Sequence, residues 1–113
     1  MEKYFVYLLV LLCAILSSFG QIFFKIASKN FSLTFEGLFL NLHLILGIFF
    51  YGTSALLFIY SLKFGELSIL YPIIATSYIF VTILSFVFFK ESLNFYKIFG
   101  VLAIIFGIWL ITK

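Results

Sequence analysis

At 113 residues, with 65% hydrophobic side chains, 10% charged ones and a mean hydropathy of +1.31, this chain cannot clothe a soluble core in polar surface. Its seven Lys and four Glu cluster near the ends of long apolar runs, as they do in a protein solvated by lipid. The net charge of +3 does not point to nucleic acid, because the lysines are spread over several chain ends and loops and form no basic patch.

About 20 apolar residues cross the hydrocarbon core as a helix, the backbone's polar groups having no water to turn to. Four such runs are present. The first, residues 4–24, lies between Lys3 and Lys25, with its helix expected to continue to about residue 27. It is too long for the apolar region of a signal peptide. The flanking Glu2 and Lys3 and the small Ser17 and Ser18 bring no convincing cleavage site, so a retained helix is expected. Residues 37–62 form the second run and are long enough to tilt or bend. The third covers 67–89 and the fourth 93–112, with Lys97 near its entrance and Lys113 at its exit. The connections, 28–36, 63–66 and 90–92, are short, which makes neighbouring helices antiparallel and leaves no room for a soluble domain. The expected architecture is therefore one all-α, four-helix transmembrane domain spanning 1–113.

Both termini then share one side of the membrane with Lys3, Lys63 and Lys113, while Lys25, Lys29, Lys90 and Lys97 lie on the other. The positive-inside rule needs an excess, and three against four supplies none. Two arrangements stay open. Copies insert both ways and pair antiparallel, or lipids, a partner subunit or the N-terminal amine select one orientation.

Polar side chains at membrane depth are costly, so their alignment is informative. Ser17, Gln21 and Lys25 are four apart and stack on one face of the first helix. They can line a groove for a polar or anionic group, or Lys25 can snorkel while Ser17 and Gln21 pack helices. Gly47, Tyr51 and Ser54 share a face of the second helix. In the third, Tyr71, Ala75, Tyr78, Thr82 and Ser85 follow steps of four and three. Pro72 either bends that helix beside a cavity or occupies its first turn. A lone His43 could serve as a proton site, but it lacks an acidic neighbour in sequence, and a structural or interfacial role is expected. Trp109 is expected at an interface, and Gly100 and Gly107, seven apart, at a close helix contact. Cys13 reads as a packing residue.

No Glu lies in the middle of a run, since Glu36, Glu66 and Glu91 all sit at helix ends. With no nucleophile–base pair, metal-ligand cluster or phosphate-cradling loop, neither enzyme chemistry nor a metal or cofactor is expected.

The segment Ala14-Ile15-Leu16-Ser17-Ser18-Phe19-Gly20-Gln21 with Lys25 resembles the first helix of small four-helix members of the drug/metabolite transporter superfamily. Gly65 with Leu70-Tyr71-Pro72 resembles the entry to their third helix. Glu91-Ser92-Leu93 with Gly100 and Gly107 resembles the ending shared with EamA-type transporters. The likeness is nearest to small flippase subunits that move aminoarabinose-phosphoundecaprenol. It implies a small multidrug resistance-like bundle in a bacterial or archaeal inner membrane, working as a homodimer or with a similar small subunit. It further implies a polyprenyl-phosphate-linked sugar held by Ser17, Gln21, Lys25, Tyr51, Tyr71, Tyr78 and Thr82, with Gly100 and Gly107 at the dimer seam. In the related small multidrug resistance proteins a first-helix Glu binds proton and drug. Alignment on Gly20 and Lys25 puts Ser17 there, which speaks against proton-coupled cation export. The rival expectations are a small-molecule or cation exporter and a non-transporting partner subunit.

Overall fold

The computed structural model describes residues 3–113; Met1 and Glu2, and with them the Glu2 flank of the first run, lie outside the described residues. Helix α1 runs Lys3–Ala27, α2 Phe35–Phe39, α3 Leu42–Ser61, α4 Leu67–Ile74, α5 Ser77–Phe89 and α6 Phe95–Ile111. Among the described residues three spans are long and apolar enough to cross a bilayer, namely Lys3–Asn30, Leu42–Ser61 and the combined Leu67–Phe89. The 17 residues of α6 are a shorter apolar helix, close to the lower limit for a span of about 17 residues.

The packing is that of a protein in lipid. On α1 the buried stripe is Val6, Val10, Cys13, Ala14, Ser17, Ser18, Gly20, Ile22 and Ala27, mostly small, whereas Phe5, Leu8, Leu12, Ile15 and Phe19 face outward. Lipid is as apolar as leucine, so bulk has no reason to turn inward, and small residues let backbones approach instead. One close approach is at Gly20 and Gly47, where a Cβ on Gly20 would stand 3.1 Å from the Gly47 carbonyl oxygen and 3.1 Å from the Tyr51 nitrogen. Helix α1 is the spine of the molecule. Both α3 and the α4–α5 span pack against it, and α3 scarcely meets that span.

The second apolar run is not continuous. After a 3-10 turn at Ser28–Asn30 the chain is extended, and Thr34 caps α2 by accepting the Gly37 N–H at 3.2 Å. Asn41 then separates α2 from α3. Its Oδ1 accepts the Leu44 N–H at 3.3 Å and its Nδ2 donates to the Ala27 carbonyl at 2.9 Å. One buried amide thus starts α3 and ties it to the end of α1.

The third span is interrupted as well. Pro72 is the sixth residue of α4, beyond the first turn, and cannot donate to the carbonyl one turn back. Two residues later the α-helical ladder gives way to shorter bonds: Thr76 donates to Ile73, Tyr78 to Ala75 and Ile79 to Thr76, at 2.9–3.0 Å. The hydroxyl of Thr76 is buried there without a partner among the described residues. Helix α5 ends in a left-handed residue, Lys90 (φ 55°, ψ 33°), after which the Glu91 N–H returns to the Ser85 carbonyl at 3.3 Å. Asn94 caps α6 by accepting the Lys97 N–H at 2.9 Å. Lys3, Glu66 and Lys113 border one crevice at one end of the bundle, and Lys25 meets Glu91 at another point, as alternating antiparallel spans require.

Candidate functional site

Because α3 and α4–α5 diverge from their common support on α1, a cleft opens between them. Its volume is about 320 Å³. Ser17 and Gln21 supply its floor from α1, Tyr51, Ser54, Ala55 and Phe58 one wall from α3, and Tyr71, Ile74, Ala75 and Ser77 the other. Phe58 and Tyr71 meet edge-on across it, ring centroids 6.3 Å apart.

The cleft is uncharged and mainly apolar, with hydroxyl, carboxamide and phenol groups set into its lining. Ser17 donates to the Ala14 carbonyl at 3.0 Å, and Ser54 crosses from α3 to donate to the Cys13 carbonyl at 2.7 Å. Both hydroxyl protons are thus spent on backbone, and the oxygens remain acceptors. Gln21, Tyr51 and Tyr71 are exposed and bring amide and phenol groups to the cavity. Such a lining of hydroxyls, one carboxamide and aromatic faces suits a neutral, hydroxyl-rich group beside an apolar chain.

Four expected site residues, Ser17, Gln21, Tyr51 and Tyr71, therefore line one cavity. Tyr78 and Thr82 do not share it. They border a smaller cavity of about 110 Å³ with Ser85, Glu91, Ser92 and Lys97. The stripe from Tyr71 to Ser85 is divided by the tightened turn at Ala75–Thr76, since a 3-10 turn advances about 120° per residue against about 100° in an α-helix. Lys25 lines neither cavity. Two steps of four residues carry it about 80° around α1 from Ser17. Its Nζ instead lies 4.0 Å from Glu91 Oε2, both side chains about half exposed.

Ser54, Phe58, Ser77 and Glu91 were not singled out as site residues by their positions in sequence. Ser54 was visible on the Tyr51 face, and Glu91 as a helix-end charge, but neither pattern tells which neighbour it meets. His43 is half-buried against the Phe23 ring (centroids 6.3 Å apart) and borders a polar pocket of the 28–43 connection. Gly100 and Gly107 have open space where a Cβ would stand. Trp109 carries the Lys113 ammonium 4.3 Å from its ring centroid.

A helical, apolar-surfaced protein with an uncharged cleft that carries a few polar groups between its spans has the form of a multi-pass membrane transporter. The chain belongs to the EamA-like transporter family, which matches residues 4–113. It is 30% identical to the probable 4-amino-4-deoxy-L-arabinose-phosphoundecaprenol flippase subunit ArnF of Proteus mirabilis, over 95% of this chain and 91% of that protein. The protein of the same name from Photorhabdus laumondii is 35% identical over 59% of this chain and 55% of its own length. No solved structure matches. Family and apolar spans together give the location, the inner membrane, crossed several times.

Proposed function

We propose that the protein is a flippase component for a polyprenyl-phosphate-linked sugar. The observation that carries this reading is the uncharged, mainly apolar cleft into which Ser17, Gln21, Tyr51 and Tyr71 bring polar groups, with a cation, Lys25, one turn beyond Gln21 at the end of the same helix. The sugar hydroxyls exchange hydrogen bonds with the carboxamide and phenols, the phosphate meets Lys25, and the prenyl tail stays in lipid outside the gap between α3 and α4–α5. Head-group passage then needs no bond made or broken, only replacement of water by protein partners. The names of the two relatives, flippase subunits for an amino-sugar phosphoundecaprenol, support this substrate class.

The same names include the word subunit, which favours a working unit of more than one chain. Two copies, or this chain with a similar small partner, would meet along the α6 face of Gly100 and Gly107, in a small multidrug resistance-like arrangement.

Native mass spectrometry of the gently purified protein tests the reading. An undecaprenyl-phosphate-type lipid retained by wild type and reduced about tenfold or more in Lys25→Ala is the expected result, given the 1.5–3 kcal/mol typical of hydrogen bonds to charged groups. Retention of bulk phospholipid alone would move the assignment to an exporter or a non-transporting partner.

A further inference from the structure

The cation assigned to the phosphate is not free-standing. Glu91 faces it at 4.0 Å, and the loop around Glu91 is built rather than loose. Left-handed Lys90 turns the chain, the Glu91 N–H is held by the Ser85 carbonyl, and Asn94 fixes the start of α6. Lys97, which borders the small cavity together with Glu91, donates its ammonium to the Ser92 carbonyl at 2.7 Å. The Glu91 side chain is half exposed, and the residue lines the small cavity together with Tyr78 and Thr82. An ion pair so open contributes little to stability. Its two charges remain within reach of a ligand.

We propose that Glu91 is a specificity-determining residue which, paired with Lys25, selects head groups carrying a primary ammonium as well as a phosphate. The proposal rests on the reading that Lys25 takes the phosphate. A head group with phosphate alone must bring its negative charge beside the Glu91 carboxylate or displace it from Lys25. A head group with both charges satisfies both residues, phosphate oxygen on the Lys25 ammonium and ligand ammonium on the Glu91 carboxylate, and leaves no like charges facing each other. Tyr78 and Thr82 gain a role in the same step, since they line the small cavity with Glu91 rather than the larger cleft.

The test uses the full chain in nanodiscs of equal phosphatidylethanolamine and phosphatidylglycerol, with lipid retention read by native mass spectrometry. Wild type is expected to retain the amine-bearing phospholipid over phosphatidylglycerol by a factor between about 1.4 and 5, the range of an exposed charge pair. Glu91→Gln should bring that ratio to about one and raise retention of added undecaprenyl phosphate by a similar factor, while Glu91→Asp keeps the preference. An unchanged ratio in a Glu91→Gln protein with wild-type melting temperature overturns the proposal. Lys25→Gln separates the two readings. Loss of every phosphate lipid in that variant upholds the phosphate assignment whatever Glu91 does, and no loss rejects that assignment by itself. Added amino-sugar polyprenyl phosphate identifies the source of the ligand. Displacement of phosphatidylethanolamine by trace amounts assigns the site to the carrier lipid; its failure, with the amine preference intact, assigns it to the phospholipid.

Discussion

The hydroxyl of Ser54 donates to the carbonyl oxygen of Cys13 across 2.7 Å, a buried bond between residues 41 apart in sequence that joins α3 to α1 beneath the cleft. It sits on the same α3 face as Tyr51 and Gly47, so the element that walls the cleft is also the one most firmly attached to the spine. Ser54→Ala removes the donor, while the Cys13 carbonyl keeps its place in the α1 ladder. Loss of about 0.6 kcal/mol, the mean for interhelical hydrogen bonds in a membrane protein, is expected in reversible SDS unfolding.

Gly20 is a harder constraint. A methyl group there would press on the backbone of Gly47 and Tyr51, neither of which is a flexible side-chain end. Gly20→Ala is expected to cost about 1–3 kcal/mol as overpacking. At Gly52 no neighbouring atom among the described residues lies within 4 Å of where a Cβ would stand, so Gly52→Ala should be neutral or stabilising by up to about 1 kcal/mol. Melting temperatures of the two variants in one detergent check the contrast.

Asn41 serves two helices at once. Asn41→Ala strips the N-cap of α3 and the donor to Ala27, leaving a carbonyl in a buried position without its partner. About 1–3 kcal/mol of destabilisation is expected. Hydrogen exchange should show the loss concentrated at the α1–α3 end of the bundle, near Ala27 and Leu44.

Lys90 occupies a left-handed conformation that costs a side chain more than it costs glycine. Lys90→Gly should therefore stabilise the fold by about 0.5–1 kcal/mol, and Lys90→Val should do the opposite. If the conformation also orients Glu91, Lys90→Gly will leave the lipid preference of wild type unchanged.

At Gly100 and Gly107 no neighbouring atom among the described residues lies within 4 Å of where a Cβ would stand. Gly107→Leu is accordingly expected to keep the helical circular dichroism and the melting profile of the monomer. At the proposed seam it should lower the dimer fraction in native mass spectrometry about tenfold or more, as expected where close backbone approach is lost. A dimer fraction equal to wild type would remove α6 from the interface.

Solvent class, helical character and the approximate places of the spans were legible along the chain, because lipid demands long unbroken apolar runs and because charge is tolerated only at their ends. The first-helix stripe of Ser17 and Gln21 was legible for the same reason, each polar residue at depth needing a partner or a cavity. Where a local rule was weak, tertiary structure decided. Asn41 split the second run by bonding to a carbonyl 14 residues back, a partner that no periodicity reveals. The 3-10 bonds after Pro72 rotated Tyr78 and Thr82 away from Tyr71, although a uniform helix would have kept them on one stripe. Lys25 was visible as a cation at a helix end, but its neighbour Glu91 lies 66 residues further on and is brought there by a left-handed turn. Spans are properties of a segment and its solvent, and so can be read from residues in order. A cleft and a charge pair depend on how segments cross, and at Gly20 and Gly47 that crossing is set by how closely two backbones can approach.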